Sequence, residues 1–172
     1  LSHWRRGGES RRHVLARGTK IFLLGMVVSA ATFLALGDQM VIFGVLHCIG
    51  VSVVLAYPFL RYRYLNLVLG VALILAGLAI SGVQVDHPYL IWMGLRPSWF
   101  HTADYFPLVP WFGVVLLGVF IGNTLYSNYR RGFSLPDLSH HLPVRSMCKL
   151  GRYSLMIYLV HQPILLGILY LL

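Results

Sequence analysis

The sequence predicts an all-α fold: a polytopic transmembrane helix bundle with about five spanning helices and a cytoplasmic N-terminus. Of its 172 residues, 58% are hydrophobic and only 11% are charged. A soluble domain carries about a quarter charged residues, so this chain could not cover a water-exposed surface. Its long apolar runs do not alternate with polar residues, which argues against the strands of a membrane β-barrel.

Five apolar stretches are long enough to cross a bilayer about 30 Å thick, at about 1.5 Å per residue. We predict spans over residues 18–36, 41–60, 64–83, 107–126 and 149–172, within one transmembrane domain covering residues 1–172. A basic segment, residues 1–17, precedes the first span, and a polar loop, residues 127–148, precedes the last. Gly118 and Gly122 form a GxxxG pair in the fourth span, which lets a neighbouring helix approach closely.

The basic residues collect on one side of this topology. With a cytoplasmic N-terminus, thirteen of the fourteen Lys and Arg residues face the cytoplasm, and only Arg96 faces outside. This is the bias of the positive-inside rule, and it predicts a multi-pass protein of the cell (inner) membrane. Topology and anionic lipid thus account for the net charge of +9, so we predict no nucleic-acid partner.

His47 interrupts the second span near its start. Counted from Val41, it lies roughly 10 Å below the membrane surface, where an ionisable group indicates a pathway or a site. Two interpretations stay open. In one, a neutral imidazole bonds a carbonyl of a neighbouring helix and holds two spans together. In the other, His47 is a general base or a substrate-orienting group in an outward-open cavity, and Gly44 and Gly50 leave room for a close helix or a ligand.

His161 lies roughly 18 Å into the last span. Pro163 removes the hydrogen bond to the carbonyl of Leu159, so we expect a kink with a free acceptor. His161 and Gln162 either help to satisfy that acceptor or line the same cavity as His47 from the other wall.

Asp104 and Trp111 lie at the outer edge of the fourth span. Asp104 precedes Pro107 by three residues and is predicted to cap that helix, with sugar or amine binding as the alternative. Trp111 is typical of an interfacial anchor and is also a candidate substrate contact.

Cytoplasmic basic residues such as Arg152 could hold the phosphates of a nucleotide, although topology alone explains them. The His140–His141 pair has only Asp137 nearby, so we predict no metal site. No G-x-S-x-G, Walker, H-E-x-x-H or Rossmann pattern occurs, and the residues by themselves name no reaction.

Three segments, in their order and spacing, carry a family resemblance from about Arg11 onward. They are FGVLHCIGVS, GLRPSWFHTADYFPLVPWFGVVLLG and LGRYSLMIYLVHQPIL. Together they are similar to the bacterial branch of the heparan-alpha-glucosaminide N-acetyltransferase catalytic domain family. GVLHCIG matches the family's G-V-L-x-x-[IL]-G helix and supplies His47, and LVHQP matches the last-helix motif and supplies His161.

The resemblance implies a membrane acyltransferase that takes acetyl-CoA from the cytoplasmic side and acetylates an amino sugar on the far side. It implies that His47 orients or deprotonates the acceptor with His161 and Asp104 in support, and that Arg152 steadies the donor's phosphates. The family's N-terminal helices, with a D-x-x-R-G-like motif and the His regarded as catalytic, would lie before Leu1. We therefore expect an N-terminally truncated chain that lacks the principal catalytic His.

The predicted function is transfer of an acetyl or acyl group from acyl-CoA to an amino sugar or other glycan acceptor on the extracytoplasmic side. The expected partners are the bilayer, the acyl donor and the acceptor, and a homo-oligomer is left open. One alternative is a non-enzymatic carrier of a small polar or glycan-derived solute. The other is a purely structural membrane subunit.

Overall fold

The computed structural model describes residues 10–102, 104–126 and 142–171, which belong to two compact units, Leu1–Gly132 and Phe133–Leu172. The described residues form helices and no strand. The α-helices are α1 (Ser10–Leu36), α2 (Val45–Ala56), α3 (Arg63–Ile80), α4 (Leu108–Leu125), α5 (Leu142–Arg152) and α6 (Ser154–Leu171). Short 3-10 helices cover Gly37–Gln39, Pro58–Arg61 and Pro88–Met93.

Three of the described helices are long and apolar enough to cross a membrane: Arg11–Gln39, Arg63–Ile80 and Leu108–Leu125. The predicted all-α membrane class is therefore confirmed. The five-span count goes beyond these three helices. The predicted second span contains only the twelve residues of α2, about 18 Å of helix, and the predicted last span starts inside α5 and continues as α6.

The second span is shorter than predicted because other segments hold its first residues in an extended conformation. The backbone N–H of Val41 donates to Thr32 Oγ1 of α1 at 3.0 Å, and Ser29 Oγ donates to the carbonyl of Val41 at 2.5 Å. On the other side, the N–H of Phe106 donates to the carbonyl of Phe43 at 3.0 Å. Residues 41–44 thus make non-helical hydrogen bonds, and α2 begins only at Val45.

In the first unit, α2 packs against both α1 and α4, and α3 packs against α4. The buried core contains Cys48 and Ala56 of α2 with Leu108, Phe112 and Leu116 of α4. Much of the apolar surface of α1 and α3 stays exposed, including Leu34 at 85% and Val68 at 64%. Such surfaces suit lipid, since a helix that faces acyl chains has no need of a polar face.

Close helix contacts in this unit form at Gly50 and Gly70. A Cβ at Gly50 would lie 2.7 Å from the backbone N of Phe22 and 2.9 Å from the carbonyl O of Gly18, so α1 and α2 nearly touch there. A Cβ at Gly70 of α3 would lie 3.0 Å from the carbonyl O of Gly113 in α4. A Cβ at Gly118 would meet no described atom within 4 Å, so no helix contact is seen at this residue among the described residues.

Two asparagines satisfy backbone carbonyls at the turn between α2 and α3. Asn66, which is fully buried, donates through Nδ2 to the carbonyl of Phe59 at 2.8 Å. Asn123 of α4 donates to the carbonyl of Leu60 at 3.1 Å. Pro58 ends the α-helical pattern here, and the amide side chains replace hydrogen bonds that the backbone cannot make in an apolar setting.

In the second unit, α5 and α6 follow each other with a turn at Tyr153. The N–H of Tyr153 donates to the carbonyl of Lys149 at 3.1 Å, and the N–H of Ile157 donates to that of Tyr153 at 2.9 Å. The end of the predicted polar loop is therefore helical from Leu142, a feature that the sequence interpretation missed. Helix α6 continues through Pro163.

Candidate functional site

The candidate site lies at the amino end of α2, where the chain leaves its extended segment. Gly44 is the N-cap residue and has extended backbone angles, φ −92° and ψ −174°. A helix leaves its first N–H groups without backbone partners, so other groups must accept from them. Two side chains do so here, and both come from the predicted site residues.

His47, the third residue of α2, accepts the first of these hydrogen bonds. Its Nδ1 lies 3.4 Å from the backbone N of Gly44, which donates. His47 is 2% exposed, and its imidazole packs edge-on against the ring of Phe22, with 5.2 Å between centroids. The Phe43 ring lies 5.7 Å away, and a Cβ at Gly25 would stand 3.0 Å from Nδ1. The imidazole thus lies between α1 and its own helix start.

The second ring nitrogen of His47 decides what the side chain can do. Since the N–H of Gly44 can only donate, Nδ1 accepts, and the neutral imidazole carries its proton on Nε2. Nε2 is buried and has no hydrogen-bond partner among the described residues. One interpretation of the sequence expected the imidazole of His47 to bond a carbonyl of a neighbouring helix. Among the described residues, Nε2 makes no such hydrogen bond. The arrangement presents an N–H donor without an acceptor.

Asp104 accepts the second hydrogen bond at the start of α2. Its Oδ2 lies 3.0 Å from the backbone N of Val45, the first residue of the helix. A carboxylate at a helix N-terminus is favourable. The prediction that Asp104 caps the fourth span is wrong, because α4 begins after Pro107 without a side-chain cap. Asp104 reaches a helix 59 residues earlier in the chain instead.

A polar cleft of about 410 Å³ opens on the same end of the first unit. Its lining residues are Gln39, Arg96, Phe100, His101, Thr102 and Tyr105. The Arg96 guanidinium stands 5.9 Å from the centroid of the Tyr105 ring, and the Tyr105 hydroxyl donates to the carbonyl of Ile91 at 2.7 Å. Burial raises the pKa of the Tyr105 phenol and the Arg96 charge opposes that rise, so the phenol stays protonated at neutral pH.

The cleft borders the segment that holds His47. Tyr105 pairs with Phe43 in an isolated backbone bridge, and Thr102 Oγ1 donates to the carbonyl of Met40 at 2.7 Å. Asp104 lies between these two cleft residues in the chain. The structure therefore brings together His47, Asp104 and the cleft at one end of the unit.

The other predicted site residues make no described contact with His47 or Asp104, or lie outside the described residues. Trp111 is 43% exposed on α4, and its ring lies 5.0 Å from that of Phe106. His161 is exposed within the second unit, and its Nδ1 lies 2.5 Å from the carbonyl O of Tyr158, not of Leu159. Arg152 is exposed at the end of α5. The side chain of Gln162 and all of Asp137, His140 and His141 lie outside the described residues.

Sequence reasoning missed the residues that surround His47 from α1 and the residues of the polar cleft. Phe22 and Gly25 carry no local signal of a site, because an apolar ring and a glycine are ordinary in a spanning helix. Arg96 did carry one, as the lone basic residue on the outer side of the predicted topology. His101 followed it within the same aromatic loop, and the two line one cleft.

A family model described as heparan-alpha-glucosaminide N-acetyltransferase, catalytic, matches residues 1–163. The chain belongs to this family. Among curated protein sequences and among solved structures, no significant match is found. Membership in the N-acetyltransferase family confirms the resemblance and points to a membrane acetyltransferase-like function.

Proposed function

We propose that the amino end of α2 takes part in acyl transfer from acyl-CoA to an amine or hydroxyl of a sugar-like acceptor. The observation that carries the proposal is the unpartnered Nε2 of His47, a polar nitrogen on a side chain that is 2% exposed. A buried donor without an acceptor destabilises a fold by about 1–3 kcal/mol. A ligand atom that accepts a hydrogen bond from Nε2 removes this cost, and the same hydrogen bond holds the ligand in place.

The chemistry of acyl transfer supplies such an atom. The acceptor nitrogen or oxygen attacks the thioester carbonyl carbon, the carbon–sulfur bond breaks, and the proton of the acceptor leaves with the thiol. Negative charge develops on the carbonyl oxygen between these events. A neutral His47 with its proton on Nε2 donates to that oxygen. Of the two roles predicted for His47, the geometry therefore supports orientation and charge stabilisation over proton abstraction.

The polar cleft beside Asp104 suits the acceptor. Sugars are bound by aromatic faces and by amide, hydroxyl and guanidinium groups, and Phe100, Tyr105, Gln39, Thr102 and Arg96 supply these. The three described acids, Asp38, Asp86 and Asp104, lie at this end of the unit, by the up-and-down course of α1 to α4. In our proposal this end faces outward, and Trp111 of the same unit assists acceptor binding there. The predicted roles of His161 and Gln162 stay predictions.

Reconstitution with labelled donor tests the proposal. The intact protein in proteoliposomes receives radiolabelled acetyl-CoA on one side and a panel of amino sugars on the other. We expect label on the sugar. A carrier would instead move unlabelled sugar across the bilayer, and a structural subunit would do neither, so either result would overturn the proposed acyl transfer.

A further inference from the structure

We propose that the cleft between the start of α1 and the turn after α2 binds a phosphate-bearing ligand, whose flexible chain lies along the groove between α1 and α2. The phosphate site stands on its own geometry. Only the identity of the ligand as the nucleotide of an acyl-CoA, rather than an anionic lipid headgroup, rests on the proposed function.

Two arginines from separate elements meet at this cleft. It has a volume of about 540 Å³ and is lined by Arg11, Leu15, Val54, Tyr57, Pro58, Arg61 and Tyr62. The Arg61 guanidinium stands 5.7 Å from the centroid of the Tyr62 ring, a cation–π distance that restricts it. Guanidinium groups match phosphate oxygens in a two-pronged geometry, and tyrosine hydroxyls add donors.

No described carboxylate is at hand to neutralise these arginines. Asp38 follows the far end of α1, Asp104 stands at the start of α2, and Asp86 follows the far end of α3. Arg11 lies in the first turn of α1 and Arg61 between α2 and α3, at the other end of the unit. Two cations lining one cleft repel each other, and an anion bound between them relieves that repulsion.

An apolar groove continues from the cleft along the α1–α2 contact. It has a volume of about 220 Å³ and is lined by Gly18, Thr19, Phe22, Gly50, Val51, Val54 and Leu55. Val54 lines both the cleft and the groove, which makes them neighbours. Phe22 lines the groove, and its ring lies at a right angle to that of His47, with 5.2 Å between centroids.

The groove has a length that suits a flexible chain. Arg11 and Phe22 are eleven residues apart on one helix, roughly 16 Å. A ligand with phosphates at one end and a thin chain at the other would place the chain's tip near His47. Both an acyl-CoA and an anionic phospholipid have this form.

Binding measurements on the intact protein in phosphatidylcholine nanodiscs test the phosphate site. The variants are Arg11→Gln and Arg61→Gln, with Arg12→Gln as the matched control, since Arg12 is an exposed neighbour of equal charge that does not line the cleft. The probes are coenzyme A and, separately, phosphatidylglycerol added to the discs. We expect each cleft variant to weaken binding of one probe by about tenfold or more, and Arg12→Gln to change it less than about twofold.

The pattern across probes identifies the ligand. Selective loss of coenzyme A binding supports the site and the donor assignment together. Selective loss of phosphatidylglycerol binding supports the phosphate site with lipid as its ligand, while leaving acyl transfer to be judged by label transfer. Equal loss in all three variants would mean general electrostatics, and no loss in any would mean no site, so both results overturn the proposal.

A second variant tests the groove apart from the cleft. Thr19→Phe places a ring in the groove from an exposed position and leaves both arginines intact. If phosphatidylglycerol does not bind at the cleft, we expect Thr19→Phe to weaken binding of acetyl-CoA severalfold. We expect no change in binding of 3′,5′-adenosine bisphosphate, which keeps two of the three phosphates and lacks the chain. Equal affinity of the variant and the parent for acetyl-CoA would contradict the chain's path.

Discussion

His47 was predictable as a residue, but its hydrogen bonds were not. An imidazole in a run of apolar residues stands out from composition alone. Its partner, the N–H of Gly44, depends on where α2 begins, and that start is set by contacts with α1 and with Thr102, Asp104 and Phe106. Asp104 shows the same limit, since local spacing assigned it to the following helix while its carboxylate caps a helix far back in the chain.

Tyr105 gives a pH-dependent prediction. Burial raises the pKa of its phenol, and Arg96 opposes the rise. A raised pKa in the folded state means that the stabilisation is fully present below the ordinary pKa of about 10 and is lost as the pH rises through the folded value. Tyr105→Phe removes the hydrogen bond to Ile91, so we expect it to be less stable than the parent by about 1 kcal/mol at pH 8.

That deficit should shrink as the pH rises above about 10, because only the parent loses stability from Tyr105. Thermal unfolding in detergent across this range measures the difference, with Tyr89→Phe as the control, since Tyr89 is 81% exposed. A deficit that stays constant with pH would contradict the titration of Tyr105.

At the scale of helices, the spans α3 and α4 were predicted to within a few residues, because uninterrupted apolar runs end at polar or proline residues. The short α2 could not be predicted. Residues 41–60 form one apolar run in the sequence. Hydrogen bonds of Val41 and Phe43 to other segments keep residues 41–44 extended. The close helix contacts at Gly50 and Gly70 could not be predicted either, since a glycine in a helix indicates capacity for contact and not which helix is present.

The contact between α1 and α2 gives a stability prediction. Gly50→Ala puts a Cβ 2.7 Å from the backbone N of Phe22, and backbone cannot move aside without separating the helices. We expect a loss of about 1–3 kcal/mol. Gly118→Ala, where the added Cβ meets no described atom, should be neutral or slightly stabilising because alanine favours helix.

Unfolding in mixed micelles, followed by far-UV circular dichroism, compares the two variants. Equal stability of Gly50→Ala and Gly118→Ala would show that α1 and α2 do not meet closely at Gly50.

At the scale of the whole molecule, the charge pattern is the feature that the sequence reveals best. In the first unit, Arg11, Arg61 and Arg63 fall at one end of the antiparallel helices and the described acids at the other. Such segregation is visible without a structure because it needs only the order of the spans. The division into two units was not visible, since it depends on which helices contact each other.

This charge pattern predicts the orientation in the membrane, which can be measured. In a Cys148→Ala background, where Cys48 is buried, we place single cysteines at exposed positions near opposite ends: Ser81→Cys after α3 and Thr124→Cys in the last turn of α4. We expect a membrane-impermeant maleimide to label Ser81→Cys in intact spheroplasts and Thr124→Cys only after lysis. The reverse pattern would contradict a cytoplasmic basic end.

The most direct test of the central claim replaces His47 so as to separate its two nitrogens. A glutamine amide N–H reaches the position of imidazole Nε2, whereas an asparagine reaches only that of Nδ1. The rate of acetyl transfer by the intact protein in proteoliposomes is measured for His47→Gln, His47→Asn and His47→Ala, with folding checked by circular dichroism. Donation from Nε2 predicts that the glutamine variant stays within about tenfold of the parent, while the other two lose about 10²–10³-fold. Folded alanine and asparagine variants that transfer acetyl at the parent's rate would contradict it.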